Sequence, residues 1–591
     1  MTLATLDWVL IISFFAIFLV IGVVVSKKAG KNTQEFFLSG RNMPWWLLGI
    51  SMVATTFSAD TPNLVTDIVR QNGISGNWVW WTFLITGMLT VFVYAKLWRR
   101  SKVLTDLQFY ELRYSGKEAA FLRGFRALYL GVFFNVMIMA SVCLAAIKIG
   151  GILFNLAPWE CVLYASIITV AYSSFGGLRG VIFTDFIQFI IAMIGSVWAA
   201  YYIINMPEVG GLENLLTHEN VADKLNFLPD FNDTKSLLVL LVIPIAVQWW
   251  SVWYPGAEPG GGGYIAQRML SAKDEKNAIG ATLLFNVAHY ALRPWPWILI
   301  ALASLVLYPQ LSDIGEEFPN AVLGHDLGYP AMLTNLPAGL LGLVVASLIA
   351  AFMSTISTHL NWGSSYISLD FYKRFMKPEA SEKELVAVGR ISTLVLMALS
   401  ALLALVLSSA LSTFAILLQI GAGTGLIFIL RWFWWRINAY SEITGMIVSF
   451  VVALFFEFTE FGIEDYEKLI IGVGITTVSW ILVTLLTRPT NSKTLSSFYN
   501  AVTPYGSGWK KFKTHAAQKN ISLKNTTDVF TIDFASMLLG IVFVYSSLFA
   551  TGYVIYGNLM GAIILIGIAA ISAFSIFKLW RKRNRNKLPQ S

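Results

Sequence analysis

Ser51-Met52-Val53-Ala54-Thr55-Thr56-Phe57-Ser58-Ala59-Asp60-Thr61-Pro62-Asn63 places five hydroxyls, one carboxylate and a proline in the middle of an otherwise apolar, membrane-length run. Polar groups at bilayer depth are costly, and they usually mark a solute or ion path. The run reads as a span interrupted at its centre.

A second interruption lies five spans later, where Tyr254-Pro255-Gly256-Ala257-Glu258-Pro259 and four glycines precede Tyr264. Two interrupted spans at that separation are what inverted five-helix repeats produce. Unwound backbone at membrane depth survives only where it is buried in protein or lines a cavity, so the breaks locate a binding site. A flexible cytoplasmic loop joining two ordinary helices is the other reading of the glycines. The run has no Gly-Lys-Ser/Thr ending and is not a phosphate loop.

Composition agrees on the class. Of 591 residues 56% are hydrophobic and 14% aromatic, which excludes a soluble multidomain chain. About fifteen windows are long enough to span as helices, which excludes a barrel. The first, near Asp7 to Val25, lacks a basic leader and runs into a Lys-rich loop, so a retained helix is expected. Cys143 and Cys161 both fall in predicted spans and offer no metal-ligand spacing. Basic loops (Lys27, Lys28, Lys31, Arg41; Arg99, Arg100, Lys102, Arg113; Lys578 to Lys587) alternate with acidic ones (Glu208, Glu213, Glu219, Asp223; Glu316, Glu317; Glu460, Glu464, Asp465). By the positive-inside rule the N-terminus is outside and the C-terminus cytoplasmic, in a multi-pass plasma (inner) membrane protein. The net charge of +8 then reflects topology and lipid, with no separate basic patch for nucleic acid.

The expected divisions are an N-terminal extra helix and cytoplasmic loop (1–43), a first five-helix repeat (44–204), an extracellular loop (205–235), a second repeat (236–436), accessory helices (437–488), a cytoplasmic segment (489–528) and two further helices with a basic tail (529–591). In the cytoplasmic segment Phe498, Tyr499, Tyr505, Trp509 and Phe512 mix with Lys510, Lys511 and Lys513, which suits a stretch lying on the membrane surface or a disordered linker. The last two spans show no evident chemistry.

In Ala350-Ala351-Phe352-Met353-Ser354-Thr355-Ile356-Ser357-Thr358, Ser354 and Thr358 are one turn apart, as are Ala351 and Thr355. Several oxygens therefore face one stripe. A hard, partly dehydrated cation such as sodium takes neutral oxygens of this kind. Back-bonding to helix carbonyls, or gluing of helices, is the structural alternative.

Tyr172-Ser173-Ser174-Phe175-Gly176-Gly177-Leu178-Arg179-Gly180-Val181-Ile182-Phe183-Thr184-Asp185-Phe186-Ile187-Gln188 resembles the signature of the sodium:solute symporter family, Gly-Gly-Leu followed by Thr-Asp-x-x-Gln. The resemblance extends over roughly 6–487 and includes Tyr264-Ile265-Ala266-Gln267-Arg268. It implies an all-α polytopic fold like that of the amino-acid and neurotransmitter sodium transporters, a five-plus-five inverted repeat with one helix before the core and several after it.

By the same resemblance, the principal sodium site uses the carbonyls of Ala54, Phe57 and Ala351 and the hydroxyls of Ser354 and Thr355. Asp185, Ser357 and Thr358 stand where some members bind a second sodium ion. Asp185 has a structural alternative, holding a helix start or pairing with a base such as Arg179. Solute would lie between the broken spans, which makes Ser58, Asp60, Thr61, Trp80, Trp253, Tyr264, His289 and Gln419 the candidate contacts. Tyr264 resembles the family's cytoplasmic-side closing aromatic; an interfacial belt tyrosine is its alternative. His289 falls where sugar carriers place a lysine, or else it is a helix-bonding histidine. Asp60 meets the solute or caps the half-helix after the break. The second core helix reads Asn77-Trp78-Val79-Trp80-Trp81, without the carboxylate of the sugar carriers, although tryptophan faces stack on sugar rings.

The reading is a sodium-coupled symporter that imports a small organic solute, sugar or sugar-like, by alternating access, with two Na+ per cycle expected from the intact second set of oxygens at Asp185, Ser357 and Thr358. Its partners are Na+ and membrane lipid, and the monomer is the functional unit. A sensor on the same fold, or a symporter for amino acids or carboxylates, is the alternative. No His pair, no nucleophile with its base and no metal cluster points to an enzyme.

Overall fold

The computed structural model describes residues 3–29, 33–251, 258–407, 409–459, 462–524 and 529–585. Helix α1 (Thr5–Ala29) precedes the first interrupted span, α2 (Trp45–Thr56) and α3 (Asp60–Asn72). Next come α4 (Ile74–Ser101), α5 (Lys117–Phe154) and α6 (Pro158–Ile204). At 1.5 Å per residue the 47 residues of α6 amount to about 70 Å, more than twice the apolar thickness of a bilayer, so its two halves count as two spans. The second interrupted span is α7 (Thr234–Ala246) with α8 (Gly263–Ser271), followed by α9 (Glu275–Leu307), α10 (Leu340–Met376), α11 (Glu382–Ala404) and α12 (Ala410–Phe433). Accessory helices are α13 (Ala439–Phe458), α14 (Asp465–Leu486), α15 (Ser492–Val502), α16 (Lys510–Gln518), α17 (Phe530–Ile555) and α18 (Leu559–Arg585). Among the described residues there is no β-strand, only one bridge that ties Met43, before α2, to Ala272, after α8.

Both breaks have local causes. Phe57 leaves the helical region at ψ 80°, and Pro62, in the first turn of α3, has no amide to return to the Ser58 carbonyl. In the second break Gly260 and Gly261 adopt φ of 88° and 82°, a left-handed backbone that glycine alone takes cheaply. The stretch from Glu258 to Gly263 is buried. Its polar backbone is met by side chains: Trp98 Nε1 donates to the Gly260 carbonyl at 2.7 Å, and the Gly263 amide donates to Asp106 at 2.8 Å. A solvated loop is therefore not what these glycines form. Residues 252–257, Trp253 among them, lie outside the described residues.

Glu258, in that break, accepts from Arg126 of α5 and lies 3.6 Å from the Arg431 guanidinium of α12. Arg431 is also 3.6 Å from Glu442 at the start of α13, and Glu442 accepts from Tyr114. All of these groups are buried. Charge at this depth persists because each member has a counterion.

Residues 489–524, read from sequence as a surface-lying stretch or a linker, form the short helices α15 and α16 with their aromatic side chains packed on the protein itself. Phe498, Trp509 and Phe512 are buried while Lys510, Lys511 and Lys513 are exposed. Trp509 stacks on Phe498 at 5.8 Å, donates to the Trp432 carbonyl at 2.8 Å and faces the Arg113 guanidinium at 5.2 Å. Its apolar stripe thus faces α12 and the α4–α5 connection, a choice of partner that amphipathic spacing leaves undetermined. The last two helices also carry more than apolar surface. Asp533 of α17 accepts from buried Lys96 of α4 and from Tyr505 at 3.1 Å, with Arg583 of α18 at 3.1 Å.

Candidate functional site

The hydroxyl stripe of α10 faces the first break. Thr355 donates to the Thr55 carbonyl at 2.9 Å, so α10 bonds directly to the last turn of α2. Ala54, Phe57, Ala351 and Ser354 line one gap too narrow for a water molecule, together with Gln188, Phe189 and Ala192 of α6. Four of the five residues expected at the principal ion site, and the glutamine of the Thr-Asp-x-x-Gln motif, therefore converge. The Tyr172–Gly177 half of that motif lies outside the described side chains.

Asp185 is fully buried in α6 and reaches the same place. It accepts from Ser51 at 2.6 Å and from Ser354. Ser357 instead returns its hydroxyl to the Ser354 carbonyl at 3.1 Å, and Thr358 faces Thr55 at 3.5 Å. Asp185, Ser357 and Thr358 are thus neighbours without bonding to one another.

Between them stands a cation to which sequence reading assigned no role. Arg268 of α8, fully buried, is 3.7 Å from Asp185 and donates to Ser51 at 3.2 Å, Thr55 at 3.1 Å and Thr358 at 3.2 Å. One guanidinium therefore ties together α2, α6, α8 and α10. The planar five-donor fork of arginine suits this, where a lysine point charge would not. The basic partner of Asp185 is this residue.

The candidate solute contacts gather around a second cation. His289 lies in a π-helical turn of α9, Ala288–Leu292, a single-turn irregularity of the kind frequent at functional sites. Its Nδ1 is 3.1 Å from the Thr56 hydroxyl, and Trp80 meets its ring edge-on at 5.7 Å. Trp80 also stacks on Tyr290 at 5.8 Å and donates to Asn77 at 2.8 Å. Arg293, buried, donates to Thr56 at 3.2 Å, approaches His289 Nε2 at 3.4 Å and faces Trp297 at 5.2 Å, which in turn packs on Phe57 at 5.0 Å. Asp60, in the first turn of α3, lies against its own helix amides within the field of Arg293. Ser58 is buried at the break, and Thr61 donates back to the Thr56 carbonyl at 3.3 Å.

Two candidates stand apart from that cluster. Tyr264 is wholly buried, packed at 5.9 Å against His359 and under Arg268 at 5.7 Å, so it is no interfacial belt residue. Gln419 of α12 is half-buried, and its amide nitrogen has no hydrogen-bond partner among the described residues. Thr56, Tyr290, Arg293 and Trp297 belong to the cluster and were not read from sequence. The i, i+4 spacing of His289 and Arg293 was the available signal.

Residues 36–449, more than two thirds of the chain, match the sodium:solute symporter family. The chain belongs to that family. This sodium:solute symporter is 24% identical over 502 residues to a sodium/glucose cotransporter of Vibrio parahaemolyticus, a match spanning 80% of this chain and 89% of that one. It is 25% identical to a sodium/mannose cotransporter of Bos taurus, over 76% and 78% of the two chains. A solved structure of a Na+-coupled sialic acid symporter in a substrate-bound outward-open state superposes with a TM-score of 0.64 at 22% identity, covering 83% of this chain and 99% of that one. The fold is the inverted-repeat core expected from the two breaks. The symporter is a sodium-coupled secondary active transporter, a multi-pass membrane protein of a class that carries out transport and no catalysis.

Proposed function

We propose that the symporter imports a polyhydroxylated, sugar-like solute, with one sodium ion held by the carbonyls of Ala54, Phe57 and Ala351 and the hydroxyls of Ser354 and Thr355. The convergence of four of these residues on one narrow gap, with Thr355 bonded to the Thr55 carbonyl, carries the reading. A bare sodium ion is smaller than water, and neutral oxygens replace its hydration shell without burying more charge. The ion bridges α2 and α10, so its binding favours the arrangement in which these helices are close. Release into low sodium loosens them, which couples ion to solute by linkage. Ser354→Ala and Thr355→Ala each remove one ligand and are expected to raise the sodium concentration for half-maximal transport about tenfold or more, a loss of the size of one charge-assisted contact. Equal half-saturation in wild type and both variants would sink the assignment.

At Asp185 the guanidinium of Arg268 occupies the position a second sodium would neutralise. A charge-to-solute ratio of two would mean that sodium displaces it during the cycle; a ratio of one leaves Arg268 as the resident cation.

The solute reading rests on aromatic faces (Trp80, Tyr290, Trp297) with hydrogen-bonding groups between them (Thr56, His289, Arg293, Asp60), the mixture that grips a ring bearing hydroxyls. Arg293 favours a second reading, an acidic sugar whose carboxylate takes the guanidinium fork. Glucose and mannose are solutes in the names of similar proteins, and sialic acid in that of the superposed structure. The reading places the protein in the plasma membrane with its N-terminus outside, its C-terminus in the cytoplasm and the monomer as transport unit. Transport currents from proteoliposomes, challenged with neutral sugars, acidic sugars, amino acids and carboxylates in sodium and then in choline, test it. Sodium-dependent current with neutral sugars alone supports the first reading, and with acidic sugars alone the second. Current with amino acids alone overturns both.

A further inference from the structure

Beside the first break there is a cavity of about 320 Å³, lined by α1, α5, the first half of α6 and α10. Its walls are almost wholly hydrocarbon. Trp8 of α1 and Tyr164 of α6 line it and are 47% and 51% exposed, so they stand at its mouth. Beside them on the outer surface lie the exposed apolar residues Ile12 and Ile167, part of the lipid-facing side of two spans. The mouth is therefore continuous with the protein–lipid boundary. At the inner end the cavity reaches Ala59, in the break between α2 and α3, and Phe352 and Met353 of α10.

What fills such a space follows from its walls. Water needs two or more polar partners and finds almost none here. An empty apolar void leaves its lining atoms without dispersion contacts. The adjoining solvent is hydrocarbon, and a flexible chain entering from the bilayer satisfies the walls. We propose that this cavity binds one acyl chain of a membrane phospholipid, and that the chain braces the broken span against α10. Ala351 and Ser354 share one face of α10 and line the ion gap, while Phe352 and Met353 between them line the acyl cavity, so the two sites lie on different faces of the same helical turn. This bracing rests on the reading that α2 and α10 hold the sodium ion. With the cavity filled, the two helices keep the spacing that sodium needs.

The test uses the full-length protein in phosphatidylcholine vesicles doped with a phosphatidylcholine bearing a diazirine in mid-chain. After irradiation, adducts are mapped by mass spectrometry. Adducts are expected on Phe352 and Met353 as well as on the outer residues Ile12 and Ile167. Ala146→Phe and Ala165→Phe each place a ring in the cavity, and either variant is expected to lower the inner adducts about tenfold while leaving the outer ones unchanged. Adducts confined to the outer residues of the wild type overturn the site. The same variants should change the sodium concentration for half-maximal transport about fivefold or more, within the usual range of coupling between sites. Inner adducts that disappear in the variants with no change in sodium response overturn the bracing. Transport insensitive to sodium in wild type and variants alike would be a failure of the sodium reading, and the adduct pattern still decides the site.

Discussion

Replacing Arg268 by methionine should cost the folded protein about 3–5 kcal/mol and abolish transport, the usual penalty for leaving one half of a buried ion pair alone. The loss falls on Asp185, which would keep its hydrogen bonds from Ser51 and Ser354 but lose its cation 3.7 Å away. It also falls on Thr55 and Thr358, whose hydroxyls each lose a donor. Thermal unfolding in detergent measures the first effect. The double variant Asp185→Asn with Arg268→Met removes both charges and should recover most of the stability, since a fully neutralised pair is often nearly neutral in energy. Sodium separates the two accounts of Asp185. If the carboxylate accepts an ion once Arg268 is gone, added sodium will raise the melting temperature of Arg268→Met more than that of wild type, by mass action on the folded state. Equal sodium responses would leave Asp185 with the structural role alone. No stability loss in Arg268→Met would show that the pair is not formed.

Glu258→Gln should produce a loss of similar size, about 3–5 kcal/mol, with transport falling below detection. Here a single carboxylate serves two guanidinium groups, those of Arg126 and Arg431, beside the left-handed glycines of the second break. The neutral amide keeps the shape and loses the charge, so the variant isolates electrostatics from packing. Removing one of the orphaned cations as well, in Glu258→Gln with Arg126→Gln, should restore part of the loss through a coupling of about 0.5–3 kcal/mol. Additive losses in the double variant would mean that the groups do not interact.

Sequence made the core legible because its strongest signals are local. The hydroxyls from Ser51 to Thr61, the glycines from Gly260 to Gly263 and the α10 stripe each lie within a few turns, so spacing alone puts their oxygens together. Arg268 and Arg293 were less legible for a matching reason. Arg268 takes its meaning from Asp185 and Ser51, distant in sequence, and an arginine in an apolar segment looks the same whether it ends a span or crosses the interior. Trp509 and Phe512 show the opposite failure. Their alternation with lysines suited a stretch lying on the membrane surface, but lipid headgroups and a ledge of aromatic side chains ask for the same pattern. The apolar appearance of the last two helices likewise hid Asp533, one carboxylate among many leucines and isoleucines whose partner Lys96 is 437 residues away.

That separation has a consequence for biogenesis. Lys96 enters the membrane with α4, and at 5–20 residues per second the ribosome needs roughly 20–90 s more to deliver Asp533. During that interval a cation destined for the interior has no counterion, and its long stem allows the ammonium to wait at the headgroup level. Arrival of the C-terminal hairpin then draws it inward. A chain released early, before α17 is inserted, would carry a charge that it cannot bury, which gives the cell's membrane quality control a chemical mark of incompleteness to act on.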